Sequence, residues 1–206
     1  MKRQILIATT NPGKLKEISA MLDADVEWLG LSDFPDLKEV EEDGATFAEN
    51  ARKKATEYSK AAGVWTIADD SGLVIDALDG APGVNSARFS GEKHQGEDRT
   101  LIDHRNIAKV LELLKDVPRE KRTARFVCNL CLARPDKVLA EVKGTLEGII
   151  IEEEKGGNGF GYDPVFFVPE FDKTAAQISA EEKNSISHRG QAIKNLKPLL
   201  DELLKW

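Results

Sequence analysis

Cysteine and histidine are scarce in this sequence, with two cysteines and three histidines among 206 residues. Cys128 and Cys131 form one C-x-x-C pair, and neither a second pair nor two histidines follow at a zinc-binding spacing. The stretch around them alternates like a β-strand, which would place the two thiols on opposite faces. We therefore expect two buried, reduced cysteines rather than a zinc or redox site.

Long apolar runs and an excess of basic residues are also missing. No run approaches the roughly 20 apolar residues of a membrane helix, and the N-terminal stretch lacks the apolar length and cleavage site of a signal peptide. These absences favour a cytoplasmic protein without a membrane partner. The formal net charge of −7 argues against a nucleic-acid polymer as partner, although a small anionic ligand needs only a few local cations.

Helix and strand signals are interleaved along the chain, without a repeat, a low-complexity tract or a linker. This interleaving predicts a single α/β domain over residues 1–206, in which helices flank a mixed sheet. The predicted strands are 4–9, 64–68, 123–133, 144–151 and 164–168. The predicted helices are 14–22, 46–62, 100–115 and one that begins near Ser187.

Two of these helices have distinct signals. Thr46 and Glu49 form a capping box at the start of helix 46–62, and Gly63 follows its end. Helix 100–115 is expected to turn its apolar side inward. That side is predicted to consist of Leu101, Ala108, Leu111 and Leu114.

Residues 9–14, TTNPGK, form a turn of small residues between a predicted strand and a predicted helix. Free N–H groups at a helix start attract anions, and Lys14 adds a positive charge. The stretch is not a Walker A loop, because the first glycine is missing. It predicts a phosphate site, with an ordinary Asn-Pro-Gly turn as the alternative.

Carboxylates are concentrated in two stretches, Glu41 to Asp43 and the pair Asp69 and Asp70. If a strand ends at residue 68, the two aspartates point to opposite sides, so one faces a cleft and the other stabilises the turn. Mg²⁺ prefers oxygen ligands and retains waters, so one carboxylate from each stretch would suffice. Two solvated acidic loops are the alternative.

A glycine-rich stretch, GGNGFGYDP at 156–164, places Phe160 and Tyr162 beside backbone without side chains. Such a loop suits a flat ring that slides against the backbone. It lacks the spacing of the dinucleotide-binding fingerprint. A hairpin loop supported by the tyrosine is the alternative.

Two cations, His188 and Arg189, fall in the first turn of the last predicted helix, after Ser187 as its cap. The helix dipole disfavours cations there unless an anion or a carbonyl-rich ligand shares the place. Lys183 lies about one turn earlier. An exposed, unspecialised helix end is the alternative.

In this combination and order, the chain resembles the inosine/xanthosine triphosphate pyrophosphatases, hydrolases that cleanse the nucleotide pool. The matching stretches span positions 8 to 192, and they are ATTNPGK, EEDGATFAENA, IADDSGLVIDALDGAPGVNSARFSG, GGNGFGYDPVFF and EEKNSISHRGQA. The resemblance implies an elongated α/β fold with a substrate cleft between two lobes, and a homodimer. It also implies Mg²⁺-dependent hydrolysis of dITP, ITP and XTP to the monophosphate and pyrophosphate.

The resemblance further implies a role for individual residues. Asp70 would be the catalytic base that activates a water for attack on the α-phosphorus, and Glu41 and Asp70 would bind Mg²⁺. The implied nucleotide-binding residues are Thr9, Thr10, Asn11, Pro12, Gly13, Lys14, Lys54, Ser71, Phe160, Gly161, Tyr162, Asp163, Lys183, His188 and Arg189. A nucleotide sensor that performs no chemistry and a phosphatase that releases orthophosphate are the alternatives.

Overall fold

The computed structural model describes residues 2–9, 12–91 and 98–205, with side chains except those at 12–14, 17 and 180. The helices of this part are α1 (Pro12–Leu22), α2 (Phe47–Ala62), α3 (Arg99–Leu114), α4 (Ala180–Ile186) and α5 (His188–Leu203). The strands are β1 (Gln4–Ile7), β2 (Glu27–Gly30), β3 (Trp65–Ile75), β4 (Thr123–Arg134), β5 (Lys137–Ile150), β6 (Phe166–Val168) and β7 (Lys173–Thr174). None of the described helices combines the length and the apolar character that a membrane crossing demands.

The described strands form one mixed sheet in the order β2-β1-β3-β4-β5-β6-β7. On one side of this order β1 pairs in parallel with both β2 and β3, and on the other side β6 pairs antiparallel with β5 and β7. The predicted α/β class with a mixed sheet is therefore confirmed. Ile7 is aligned with Ile67, so Ala8 and Thr9, which follow β1, lie beside the continuing strand β3.

The chain divides into two compact units. Unit 1 consists of Met1–Ser71, Cys128–Gly144 and His188–Trp206, and unit 2 consists of Gly72–Val127 and Thr145–Ser187. The expectations of one domain over 1–206 and of a cleft between two lobes stay predictions.

Unit 1 has a core of aliphatic side chains from strands and from helices α1 and α5. Its fully or almost fully buried members include Ile5, Ile7, Ile18, Leu22, Leu130, Leu132, Ile193, Leu196 and Leu200. Cys128 belongs to this core, whereas Cys131 packs in another cluster with Ala51 and Ala55 of α2. Neither cysteine forms a disulfide, and burial raises the pKa of Cys131 to about 12. The expected buried, reduced cysteines on opposite strand faces are confirmed.

Unit 2 packs α3 against its own strands, with the Phe126 and Phe166 ring centroids 4.3 Å apart. The predicted inward side of α3 is half right. Leu114 is buried and Leu111 packs against the core, but Leu101 is 58% exposed and Ala108 is also exposed. The buried side also includes two polar side chains. Its members are Ile102, Asp103, Asn106, Ile107, Val110 and Leu114.

Most predicted boundaries hold within two residues, but β5 begins at Lys137 rather than at residue 144, and strands β2 and β7 were not predicted. The capping box of α2 is confirmed, since the Thr46 hydroxyl accepts from the Glu49 N–H and the Glu49 carboxylate accepts from the Thr46 N–H. Helix α1 begins at Pro12 rather than Lys14, as suits a proline that needs no N–H partner. Strand β3 continues to Ile75 instead of ending at residue 68. Helix α4, which contains Lys183, was not predicted.

Candidate functional site

The acidic pair lies inside β3 rather than after it, so the predicted turn at Asp69 is wrong. Alternation along a strand sends the two side chains to opposite faces, and the structure gives them different helices as partners. Asn50 of α2 donates its side-chain N–H to Asp70 Oδ2 at 2.9 Å. On α5, Arg189 Nη2 lies 3.7 Å from Asp69 Oδ2. Both carboxylates are therefore held by neighbouring elements of unit 1.

Asp70 is a buried carboxylate, with only 9% of the residue exposed. Burial raises its pKa from 3.8 to about 6, although the charge of Lys54 and the hydrogen bond from Asn50 act in the opposite direction. The charge of Glu42 adds to the increase, and the Ser71 N–H, which donates to Asp70 Oδ1 at 3.0 Å, lowers the pKa slightly. A carboxyl group whose pKa approaches neutrality is typical of catalytic acids and bases.

Lys54 connects the first acidic stretch to β3. Its Nζ donates to Glu42 Oε1 at 2.5 Å and to the Asp69 carbonyl oxygen at 2.5 Å, and its side chain is 13% exposed. Burial lowers the pKa of Lys54, but the hydrogen bond and charge of Glu42, with the charges of Asp69 and Asp70, outweigh burial and raise it. Lys54 is therefore a protonated ammonium that holds two acidic segments together.

The first acidic stretch contributes Glu42, which the sequence analysis did not single out, to this cluster. Glu41, the expected Mg²⁺ ligand, is exposed. Across residues 2–9, 12–91 and 98–205, no three His, Cys, Asp or Glu side chains are grouped as a metal site. Two carboxylates nevertheless suit Mg²⁺, which retains several waters. The assignment of Glu41 as a ligand stays a prediction.

The expected phosphate turn follows β1, which lies beside β3 in the sheet. Ala8 donates its N–H to the Ile67 carbonyl at 2.8 Å, and the Thr9 carbonyl accepts from the Leu31 N–H at 3.4 Å. The backbone from Pro12 onward is the first turn of α1, as an anion site at a helix start requires. Thr10 and Asn11 lie outside the described residues, as do the side chains of Pro12, Gly13 and Lys14.

Helix α5 begins at His188, as predicted, and lies very close to β5. A Cβ at Gly144 would be 2.1 Å from the His188 carbonyl oxygen, so only glycine permits this approach. Arg189 follows in the first turn with 8% of its surface exposed. Its Nε has no hydrogen-bond partner among the described residues. A buried donor without an acceptor is unfavourable, and an acceptor on a ligand would satisfy it.

In unit 2, the glycine-rich stretch forms a loop whose polar groups are already paired. Asp163 Oδ2 accepts from the Phe160 N–H at 2.9 Å and also from the Lys183 ammonium. Phe160 is 54% exposed, and Lys183 Nζ lies 5.2 Å from the centroid of its ring. An exposed ring with a cation over one face is suited to stacking against another flat ring.

Helix α3 supports this loop through residues that the sequence analysis missed. Asp103 Oδ2 accepts the Gly161 N–H at 2.7 Å, and Asn106 donates to the Ser86 carbonyl at 3.4 Å. The same carbonyl accepts from the Tyr162 hydroxyl at 2.8 Å. Burial raises the pKa of Tyr162 above its ordinary value, so the hydroxyl remains a donor. Hydrogen bonds to Asp103 of α3 and to the Ser86 carbonyl therefore fix the position of this loop.

The mixed sheet flanked by helices defines an α/β protein. Unit 1 contains the buried Asp70, and unit 2 contains the exposed Phe160. The sequence profile of the Ham1 family matches residues 5–199. The chain therefore belongs to the Ham1 family, which confirms the resemblance inferred from its motifs.

Close relatives and solved structures agree with this assignment. The dITP/XTP pyrophosphatase of Bacillus cereus is 48% identical over 203 residues, covering 97% of this chain and 96% of the relative. That of Geobacter sulfurreducens is 49% identical over 195 residues and covers 94% of each. The Ham1 protein of Staphylococcus aureus superimposes with a TM-score of 0.87 at 42% identity, covering 98% of this chain and 100% of that one. The dITP/XTP pyrophosphatase of Mycobacterium abscessus has a TM-score of 0.78 at 43% identity, with 95% and 99% covered.

Proposed function

We propose that this chain hydrolyses dITP, ITP and XTP to the monophosphate and pyrophosphate, and so removes these nucleotides from the pool. The relatives from Bacillus cereus and Geobacter sulfurreducens are named dITP/XTP pyrophosphatases, and both match nearly the whole chain. The observation that carries the proposal is the buried Asp70, whose pKa is raised to about 6 beside a buried ammonium. A pure nucleotide sensor has no need for such a base.

In this reaction, Asp70 orients a water against the α-phosphorus and accepts its proton. The Asn50 side chain and the Ser71 N–H each donate to one oxygen of Asp70, so the carboxylate has a fixed orientation. Burial makes this carboxylate a stronger base than an exposed aspartate, as a general base requires. Ser71 also donates its hydroxyl to Asp69 at 3.1 Å, so in this structure its polar groups support the acidic pair.

We propose Mg²⁺ as the cofactor, held by Asp70 and by a carboxylate of the first acidic stretch, with Glu41 as the expected ligand. The oxygen donors and the excess of negative charge around Asp70 fit this ion. When bound, Mg²⁺ supplies a Lewis acid that neutralises charge on phosphate oxygens. Lys14 and the start of α1 would hold the polyphosphate through their positive charge and N–H groups.

The choice of base follows from hydrogen-bond polarity. Hypoxanthine and xanthine have a carbonyl at C6, where adenine has an amino group. The unpartnered Nε of Arg189 is a buried donor that such a carbonyl satisfies and an amino group does not. A binding site with a buried hydrogen-bond donor discriminates against a base that has no acceptor at the matching position.

A panel of nucleoside triphosphates tests the reaction directly. With Mg²⁺ present, dITP, ITP and XTP should each give equal amounts of monophosphate and pyrophosphate, whereas ATP should react far more slowly. In water enriched in oxygen-18, the label should enter the monophosphate, because the attack is at the α-phosphorus. Mass spectrometry of both products measures its position.

Three outcomes would contradict the proposal. Label in pyrophosphate would mean attack at the β-phosphorus, and orthophosphate as the product would indicate a phosphatase. Tight binding of the nucleotides without turnover would indicate a sensor.

Asp103→Leu is expected to weaken nucleotide binding through the Phe160 loop. It leaves the Gly161 N–H without its acceptor, and an unpaired buried donor costs about 1–3 kcal/mol. We therefore expect KM for ITP to rise about tenfold, with kcat changed little, because the hydrogen bond that is lost belongs to the Phe160 loop. Steady-state kinetics of pyrophosphate release measure both constants.

Arg99→Met is the matched control for this prediction. Arg99 is the exposed ion-pair partner of Asp103 at 3.1 Å, and its removal leaves the Gly161 hydrogen bond in place. Kinetic constants close to those of the wild type are expected for this control. A fall in kcat without a change in KM in Asp103→Leu would refute the loop-positioning role.

We also propose that the protein is a cytoplasmic homodimer, as the resemblance implies. Light scattering after size-exclusion chromatography measures the mass in solution. A mass of one chain, 22.7 kDa, would rule out the homodimer.

A further inference from the structure

The side-chain amide of Asn50 connects the two acidic segments of unit 1. Its Nδ2 donates to Asp70 Oδ2 at 2.9 Å, and its Oδ1 accepts the Gly44 N–H at 2.7 Å. Gly44 ends the segment Glu41–Gly44, which has no regular secondary structure. Asn50 therefore binds the acidic loop with one end of its amide and the strand carboxylate with the other.

The chemistry of the two partners sets the orientation of this amide. A carboxylate can only receive a hydrogen bond from the NH₂ group, and a backbone N–H can only donate to the oxygen. Asn50 is 1% exposed, so water is poorly placed to replace either bond. A buried amide that uses both of its ends has one favourable position.

Gly44 lies so close to Asn50 that a side chain does not fit at position 44. A Cβ at Gly44 would lie 2.7 Å from Asn50 Oδ1 and 2.9 Å from the Glu49 Cβ. Any larger residue would therefore displace Asn50 or move the loop away from it. The close approach and the hydrogen bond are two separate features that place the loop against the same amide.

We propose that Asn50 is a positioning residue that fixes the Glu41–Gly44 loop relative to Asp70, and thereby sets the separation of the carboxylates that hold the divalent cation. The inference rests on the proposed function, because it concerns the same site. Asn50 neither binds the substrate nor exchanges a proton. Groups that orient metal-binding carboxylates in this way typically change metal affinity or activity by about 10–100-fold when they are removed.

Asn50→Leu tests the proposal with a neutral side chain of similar size. The substitution changes no formal charge, but loss of the Asn50 hydrogen bond raises the pKa of Asp70. Cation affinity is therefore compared at about pH 8, where the carboxylate is ionised, so that an altered affinity reports on the placement of the carboxylates. We expect kcat for ITP to fall by about 10–100-fold with a smaller change in KM, and the Mg²⁺ requirement to rise by a similar factor. Two measurements do not depend on turnover. Mn²⁺ titration of the nucleotide-free protein by electron paramagnetic resonance should show weaker binding, and the Gly44 amide should exchange its hydrogen faster.

Gly44→Ala disturbs the same contact from the other side and keeps Asn50. It should shift the Mg²⁺ requirement in the same direction. Ser59→Ala is the control for loss of a buried polar group on the same helix, since the Ser59 hydroxyl donates to the Val64 carbonyl at 2.6 Å. Ser59→Ala should lower the urea concentration at the midpoint of unfolding without affecting cation binding.

A wild-type Mg²⁺ requirement and wild-type Mn²⁺ binding in folded Asn50→Leu would overturn the positioning role. Equal losses of activity in Asn50→Leu and Ser59→Ala would also overturn it, because they would reflect stability alone. If the wild-type chain itself releases no pyrophosphate from any nucleotide, the proposed function fails. The Mn²⁺ and hydrogen-exchange measurements would still decide the role of Asn50 in that case.

Discussion

Asp70→Asn should abolish pyrophosphate release while the chain stays folded. The amide cannot accept a proton from water, and it is a poor ligand for a divalent cation. Loss of a general base alone lowers rates by about 10²–10⁴-fold. With the cation site also impaired, the residual rate at saturating ITP should be near the limit of detection. An assay of pyrophosphate release checks the loss of activity, and circular dichroism of the same preparation checks that the chain is folded.

The same substitution should stabilise the cation-free protein at alkaline pH. Burial raises the pKa of Asp70 from 3.8 to about 6, so the folded chain binds this proton more tightly than the unfolded chain. Below about pH 4, Asp70 is protonated in both the folded and the unfolded chain, and its contribution to the free energy of unfolding is at its maximum. This contribution is lost as the pH rises through about 6. Above that pH, keeping Asp70 ionised in the fold costs about 3 kcal/mol.

An asparagine at position 70 avoids this cost but has one acceptor oxygen for the two donors, Asn50 and the Ser71 N–H. The lost hydrogen bond costs about 1 kcal/mol. The net gain in the free energy of unfolding should therefore be about 1–2 kcal/mol at about pH 8, and absent at about pH 4. Urea titrations with a chelator present measure it.

Asp76→Asn should have the opposite effect on stability at alkaline pH. The Thr123 hydroxyl and Arg125 hold the pKa of Asp76 below its ordinary value, so its ionised form stabilises the fold. Asp76→Asn should therefore lower stability at alkaline pH and leave pyrophosphate release unchanged. If Asp70→Asn behaved like Asp76→Asn in both measurements, Asp70 would be an ordinary structural carboxylate.

Local patterns were sufficient to predict the elements that frame the site. The capping box at Thr46 and Glu49 predicts where α2 begins, because its two hydrogen bonds join residues only three positions apart. The predicted placement of His188 and Arg189 in the first turn of α5 is also confirmed. Signals of this kind depend on neighbours along the chain, so the sequence alone reveals them.

The continuation of β3 through Asp69 and Asp70 could not be read from local pattern. Two adjacent carboxylates normally mark the end of a buried strand, because an unpaired buried charge is costly. The structure offsets this cost with Arg189, Asn50 and Lys54. Two of these partners lie on α2 and one on α5, and only the fold brings them to β3.

The polar residues on α3 were missed for a related reason. A search for apolar spacing selected Leu101 and Ala108, which the structure leaves exposed. Asp103 and Asn106 are buried because the Gly161 N–H and the Ser86 carbonyl supply their hydrogen bonds. From the sequence alone, a polar residue is predicted to be exposed, because the distant partner that permits its burial is not part of the local pattern. Asn50, in the motif EEDGATFAENA, was missed for the same reason, since its partner is Asp70.

Lys54→Met should cause the second largest loss, about 10–100-fold in kcat near neutral pH. Lys54 donates to Glu42 and to the Asp69 carbonyl, and its charge lowers the pKa of Asp70. Without the ammonium, the two acidic segments repel each other, and Asp70 holds its proton to higher pH. The acid limb of the pH–rate profile should therefore move upward, and part of kcat should return at alkaline pH. Profiles of kcat from about pH 5 to 9 measure the shift.

Lys53→Met is a closely matched control, because it changes the adjacent residue of α2 in the same way. Lys53 Nζ pairs with Asp43 at 2.7 Å, but both side chains are more exposed than those of Lys54 and Glu42. An exposed pair contributes little, so kcat should change by less than about threefold and the pH profile should not move. The resemblance to the inosine/xanthosine triphosphate pyrophosphatases implies instead that Lys54 binds the nucleotide. In that case Lys54→Met would raise KM with the pH profile unchanged, and the role inferred from its two short hydrogen bonds would be wrong.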